Sequence, residues 1–184
     1  MTKVVQWPVD KITGAAVIDG MPNEKYHAHQ SISSSGLRQI IETCPQKYWF
    51  NSPHNPNQPP KEQKDTFSIG SAAHDYLLQR DEFMLHNFVL PSDFNPYTNA
   101  GKALKKEKID AGFNVIKHDQ FEQVKAMVKA IDEHPFAGAA FVDGVAERSI
   151  FWKDEETGVI CRCRPDWLPN DFKNVPDYKT TTGS

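Results

Sequence analysis

The feature that most limits the folds open to this chain is a switch of periodicity late in the sequence. In the stretch before Pro135 the apolar residues Phe121, Val124, Val128 and Ile131 recur at helical spacing and share one face. From Val145 the texture is that of strands: one over 146–153, a turn at 154–158, a second strand over 159–166, and a third expected over 175–180 after a turn at 168–172. A chain with both periods must bury a sheet against helices. The expected class is therefore α/β, or α+β if the elements segregate, with a small mixed central sheet flanked by helices.

Before the switch, breakers separate short helical stretches. Residues 1–30 mix brief apolar runs with Gly14, Gly20 and Pro22, which reads as a strand or two and turns. Serines within 31–35 precede Leu37, Ile40 and Ile41, predicting a capped helix of about ten residues that ends at Cys44-Pro45. Pro53, Pro56, Pro59 and Pro60 exclude a continuous helix or central strand over 51–64, which is expected as a mobile loop. Ala72, Ala73, Leu77 and Leu78 predict a short helix over 69–78 carrying His74. Lys102, Lys105, Lys106 and Lys108 make the one strongly basic stretch. Asp119 with Glu122 resembles a capping box opening a helix over 119–133.

The chain has 184 residues, 39% of them hydrophobic, enough for one domain with a real core, so 1–184 is expected as a single domain. Its 21 Lys and Arg against 24 Asp and Glu give a net charge of −3, so any nucleic-acid contact has to come from a local basic patch. No apolar run is long enough to span a bilayer and the N-terminus has no cleavable leader pattern, which points to a soluble, cytoplasmic protein without membrane contact. Cys44, Cys161 and Cys163 are read as reduced thiols, because a tetrahedral zinc site wants four well-spaced ligands.

The chemistry-bearing residues concentrate in the strand region. Glu147 is expected on the first strand, Asp166 follows Pro165 at the end of the second, and Asp177-Tyr178-Lys179 is expected on the third, where Asp177 and Lys179 share a face. Carboxylates hold a hard divalent cation, and a lysine beside it orients or deprotonates a water and balances charge on a phosphorane. The plain alternative is an exposed Asp177–Lys179 salt bridge with Asp166 as a turn residue. Arg162 and Arg164 fall on the Asp166 face of a regular strand, in place either to contact phosphate or to pair with strand carboxylates. The lysines at 102, 105 and 106 suit sequence-independent contact to a DNA backbone or a solvated surface.

Pro165-Asp166 followed by Asp177-x-Lys179 resembles the PD-(D/E)xK nuclease pattern, with Glu147 on the preceding strand as its extended form expects. The likeness reaches further. YHAHQSIS at 26–33, IGSAAHDYLL at 69–78, TNAGK at 98–102, AERSIFW at 146–152, TGVICRCRPD at 157–166 and DYKTTT at 177–182 resemble the nuclease domain of RecE-type exonucleases, the exodeoxyribonuclease VIII group of the RecB-like nucleases. Gly70 to His74 matches the G-x-x-x-H motif of those nucleases, and Asp177 to Thr180 their D-x-K-T motif. The resemblance implies a restriction-endonuclease-like fold and a Mg²⁺-dependent exonuclease, with Mn²⁺ a plausible activator given an imidazole ligand. Such an enzyme degrades one strand of linear duplex DNA from its 5′ end. Residue by residue it makes His74, Asp166 and Asp177 metal ligands, with the Tyr178 carbonyl as a further one. Lys179 becomes the base or water-orienting group, and Glu147 an acidic group near the metal. Implied partners are duplex DNA ends, a RecT-like single-strand annealing protein in phage-type (prophage) recombination, and further copies of the chain.

Two departures stand beside the match. RecE-like domains continue past the D-x-K-T strand into a helix with a Gln-x-x-x-Tyr motif, so the chain is expected to be C-terminally truncated relative to the family. Pro176 removes a backbone donor just before Asp177. The second functional reading is accordingly a catalytically weak DNA-end-binding module. Cys44-Pro45 is similar to members holding an iron–sulfur cluster, but the later cysteine group is missing and no cluster is expected.

Overall fold

The computed structural model describes residues 3–6, 14–59 and 69–180. In chain order its elements begin with β1 (Lys3–Gln6), β2 (Ala16–Asp19), α1 (Asn23–Ala28), β3 (Ile32–Ser33), α2 (Ser34–Glu42) and α3 (Pro45–Asn51). They continue with α4 (Ile69–Leu78), α5 (Phe83–His86), β4 (Asn87–Val89), α6 (Asn99–Asp110), β5 (Asn114–Ile116), α7 (His118–Asp132) and α8 (Ala137–Ala140). The last are β6 (Gly144–Ala146), β7 (Ser149–Lys153), β8 (Ile160–Cys163) and β9 (Trp167–Pro169). The class is α/β with a mixed sheet flanked by helices, as the two periodicities require. Among the described residues no helix is long and apolar enough to cross a membrane. The chain divides into two compact units, Met1–Glu62 with Gly144–Pro176, and Gln63–Asp143 with Asp177–Ser184.

The first unit holds the five-stranded sheet, in the order β1-β2-β7-β8-β3. The β1–β2 and β3–β8 pairs are parallel, while β2–β7 and β7–β8 are antiparallel. The β7–β8 hairpin is closed at Asp154, whose Oδ1 accepts from the Thr157 N–H at 2.8 Å, and at Gly158, which takes φ +72°. Ile18, Met21, Tyr26 and Phe151 form the core of this unit, and Phe151 sets its ring edge-on to Tyr26. Helix α2 starts where the serine cluster predicted, the Ser33 Oγ accepting from the Gly36 N–H at 3.2 Å. Pro45 opens α3 instead of merely ending α2, because a proline at the first helical position lacks an N–H that would go unpaired anyway.

The second unit packs α4 against α7. Ala72 and Ala73 are fully buried, and such small side chains let the helices approach; Val124 of α7 and Phe83 fill the contact. Phe83 and Phe121 stack at 5.5 Å between ring centres, with Tyr76 edge-on to both. Strands β4 and β5 pair in parallel, joined through α6. Helix α7 begins at His118, where the Gln120 Oε1 accepts from the Lys117 N–H at 3.2 Å. The expected Asp119–Glu122 box therefore gives way to a contact starting two residues earlier.

Three expectations need correction. Residues 174–180 form no strand; β6 takes β9 as its antiparallel partner, with Ala146 opposite Trp167. Pro176 removes a ladder donor from the expected third strand. Glu147 does not lie on a strand: it breaks the chain between β6 and β7 at φ +50°, an uncommon conformation for a residue with a side chain. The second hairpin arm stops at Cys163, so Arg164, Pro165 and Asp166 follow the strand instead of belonging to it. Of the loop expected over 51–64, residues 52–59 run as turns and irregular backbone, and 60–64 lie outside the described residues.

Candidate functional site

Within the first unit, Glu147 and Asp166 are backbone neighbours. The Glu147 N–H donates to the Asp166 carbonyl at 3.1 Å, one step beyond the β6–β9 ladder. The bend at Glu147 thus fixes one carboxylate residue against the other without a regular strand. Arg162 and Arg164 stand two residues apart, and both guanidinium groups cover Tyr26, at 4.9 and 4.1 Å from the ring centre. Arg164 donates to the Ser149 Oγ at 2.6 and 3.1 Å, to the Met21 carbonyl at 2.8 Å and to the Asn23 Oδ1 at 3.3 Å. Arg162 is only 8% exposed and donates to the His29 carbonyl. Burial lowers the Arg164 proton affinity, with Glu147 and Tyr26 acting the other way. Burial likewise pushes the Tyr26 hydroxyl up, against the pull of Arg162. A cavity of about 790 Å³ is bordered by Tyr26, Ser33, Glu147, Arg162, Arg164 and Pro165.

Tyr26 was legible only as part of the YHAHQSIS likeness at 26–33. Its role as the platform for two arginines has no local signal, because its partners lie far along the chain. The free thiols of Cys161 and Cys163 fall on β8, and burial raises the proton affinity of both.

In the second unit, Tyr178 packs its ring on the Ala72, Ala73, Phe83, Ile116 and Val124 cluster. Its neighbours Asp177 and Lys179 are exposed, and the Lys179 Nζ donates to the Asp177 Oδ1 at 2.7 Å. Tyr178 therefore anchors the tripeptide, and burial raises the proton affinity of its hydroxyl. The sequence reading assigned it only a carbonyl, although an aromatic between two charged residues is itself a signal of alternation. His74 sits half-buried on α4, its Nδ1 3.6 Å from the Asp75 Oδ1. Lys102, Lys105 and Lys106 are exposed on α6.

Of the expected site residues, Glu147, Arg162, Arg164 and Asp166 belong to the first unit, and His74, Lys102, Lys105, Lys106, Asp177, Tyr178 and Lys179 to the second. Two aspartates, a backbone carbonyl and one imidazole are a donor set of the right kind for a small divalent cation. Among the described residues, however, no three His, Cys, Asp or Glu side chains stand together as a metal site. The clearest charged contact at these positions is the Asp177–Lys179 ion pair.

A central mixed sheet flanked by helices is the architecture of a PD-(D/E)xK-like domain. The family described as a PDDEXK-like domain of unknown function (DUF3799) matches residues 33–184, and the chain belongs to it. The match takes in Glu147, Asp166, Asp177 and Lys179. No curated protein matches the chain.

Proposed function

We propose that the chain is a divalent-metal-dependent DNA nuclease, acting as an exonuclease on the ends of linear duplex DNA, of the RecE type that digests from the 5′ end. The observation carrying this reading is the family match over 33–184, which includes an Asp-x-Lys whose carboxylate and ammonium meet at 2.7 Å. Bound Mg²⁺ or Mn²⁺ would polarise the scissile phosphate and lower the proton affinity of a water. His74, Asp166, Asp177 and the Tyr178 carbonyl are the groups assigned to hold it, and Glu147 is assigned a place close to it. The Lys179 Nζ, 2.7 Å from the Asp177 Oδ1, would orient a water beside that carboxylate as an ammonium, or take its proton in the neutral amine form. Exposed ion pairs contribute only about 0–1 kcal/mol, so the Asp177–Lys179 contact would cost little to open if the Asp177 carboxylate held a cation. Lys102, Lys105 and Lys106 hold the DNA backbone, and Arg162 and Arg164 give positive potential beside Glu147. In this reading the single-stranded tails pass to an annealing protein of the RecT type in the cytoplasm, in phage-type recombination.

A second reading, a DNA-end-binding module with weak or no turnover, is favoured by Pro176, which removes a backbone donor just before Asp177 in a segment that forms no strand. Release of acid-soluble nucleotides from linear duplex DNA separates the two. For the nuclease, Mg²⁺ or Mn²⁺ supports release, and Asp166→Ala and Lys179→Ala each lower it by about a hundredfold or more. For the binding module, a folded chain binds duplex ends with no release, and Lys179→Ala leaves that binding unchanged.

A further inference from the structure

We propose that the second unit carries a tract for single-stranded DNA, formed by one face of α6, the 91–98 segment and the turn from β5 into α7. The tract joins two cavities of about 1140 and 360 Å³, which share Phe94, Pro96, Lys105 and Ile109. Its use, to hold the strand that resection leaves, rests on the nuclease reading; the binding itself does not.

Charge on α6 is sorted by face. Residues 101, 102, 105, 106 and 109 line the smaller cavity, which places Lys102, Lys105 and Lys106 along it, whereas Glu107 and Asp110 do not line either cavity. Lys108, off this face, is engaged elsewhere: it pairs with Glu107 at 2.8 Å and lies over the Phe88 ring. Lys102, Lys105 and Lys106 have no carboxylate partner among the described residues. The larger cavity adds Lys117 and His118, with Asp119 as the carboxylate on its lining. A mostly cationic trough on a chain of net charge −3 is a local feature and not a reflection of overall composition.

The floor supplies the second requirement. Phe94 and Phe113 line the larger cavity and are half-buried, held by the backbone yet open on one side. The 91–98 segment is fixed against α6: the Thr98 Oγ1 accepts from the Gly101 N–H at 3.0 Å, and a Cβ on Gly101 would fall 2.0 Å from the Asn95 carbonyl oxygen. Only glycine lets the segment seat there, which presets Phe94 and Pro96 beside the lysine face. Rigid aromatic rings next to a row of cations match the two groups of a single strand, unstacked bases and a phosphate backbone. A duplex keeps its bases stacked inside and meets the lysines alone. That difference is why the single strand is the assigned occupant.

The test is fluorescence anisotropy of a labelled oligothymidine about twenty nucleotides long, with EDTA present so that no cleavage intervenes. The comparison ligands are an abasic strand and a duplex of the same length, and polyglutamate. Oligothymidine binds tightest, with the abasic strand about fivefold weaker or more, since it offers phosphates without stacking. The Lys105→Glu/Lys106→Glu variant binds about tenfold more weakly, and its salt dependence becomes shallower by about 1.4 in log–log slope, two contacts at roughly 0.7 each. Phe113→Leu keeps the apolar volume and weakens oligothymidine several-fold with the salt slope unchanged, a split that a merely unfolded variant does not give. Equal affinity for the abasic strand, the duplex or polyglutamate overturns the proposal, as does oligothymidine binding that ignores all three substitutions. Retained binding with no nucleotide release fells the nuclease reading and leaves the tract standing. Release intact with no oligothymidine binding does the reverse.

Discussion

Arg162 and Arg164 in the first unit and Lys102, Lys105 and Lys106 in the second are both basic clusters, yet the fold uses them in opposite ways. The arginines lie on β8 and just past its end and turn their donors inward, onto Ser149, Met21, Asn23 and the His29 carbonyl, with both planar heads over Tyr26. The lysines lie along a helix face with their ammonium groups in solvent. A guanidinium is weakly hydrated and offers five donors in a fixed fork, so it can be half-buried and satisfied by scattered acceptors; an ammonium is strongly hydrated and stays at the surface. Positive charge in the first unit therefore supports the scaffold around Glu147 and Asp166, while in the second it remains available to an anionic ligand.

The sharpest way to break this contrast is Arg164→Ala, which strips four hydrogen bonds and a stacked cation from the first unit. It should lower stability by about 2–4 kcal/mol, seen as a fall in the urea midpoint at unchanged slope. Arg164→Lys should restore only part of it, since one ammonium cannot span the same acceptors. A midpoint near that of the unaltered chain would show that the arginine is as dispensable to the scaffold as the lysines.

A milder probe of the same scaffold is pH. The His29 Nδ1 accepts from the Ser31 N–H at 3.1 Å, and its ring lies edge-on to Phe151. Burial, aided by the Arg162 charge, holds its proton affinity below the usual histidine value of 6.5. The unfolded chain then takes up the proton first. Stability is fully present above pH 6.5 and is lost as the pH falls through that value towards the lower folded-state one. His29→Gln should flatten this part of the stability–pH curve, and a slope identical in both proteins would remove His29 from the account.

Smallest of all is the effect expected from Lys105→Glu/Lys106→Glu on folding. Both side chains are exposed and without carboxylate partners, so the thermal midpoint should correspond to a change within about 0.5 kcal/mol. A larger loss would mean that the lysine face is structural after all, and the contrast with the arginines would fail.

Much of this was legible in the residues. The helix with Val124 and Val128 buried, the Ser33 cap, the β7–β8 hairpin and the helix carrying His74 all follow from local rules of spacing, capping and turn chemistry. The Asp-x-Lys pair was legible as two charges on one side of an extended segment, and they do meet. The third strand was not, because Asp177 to Thr180 alternates like a strand whether or not a partner is available. Glu147 was misplaced for a related reason: nothing in AERSIF announces a left-handed bend, which is stabilised by the Asp166 carbonyl nineteen residues later in the chain, at positions 147 and 166.

By itself the sequence determined the class of fold, its main helices and hairpin, and the chemical types available for a site, because each of these depends on neighbours a few residues apart. Tertiary structure decided which charges are scaffold and which face solvent, since that depends on acceptors such as Met21, Ser149 and Asn23 that are distant along the chain or invisible as side chains. A guanidinium is satisfied by whatever carbonyls and hydroxyls the fold happens to bring to it, and a sequence does not display where those oxygens will be.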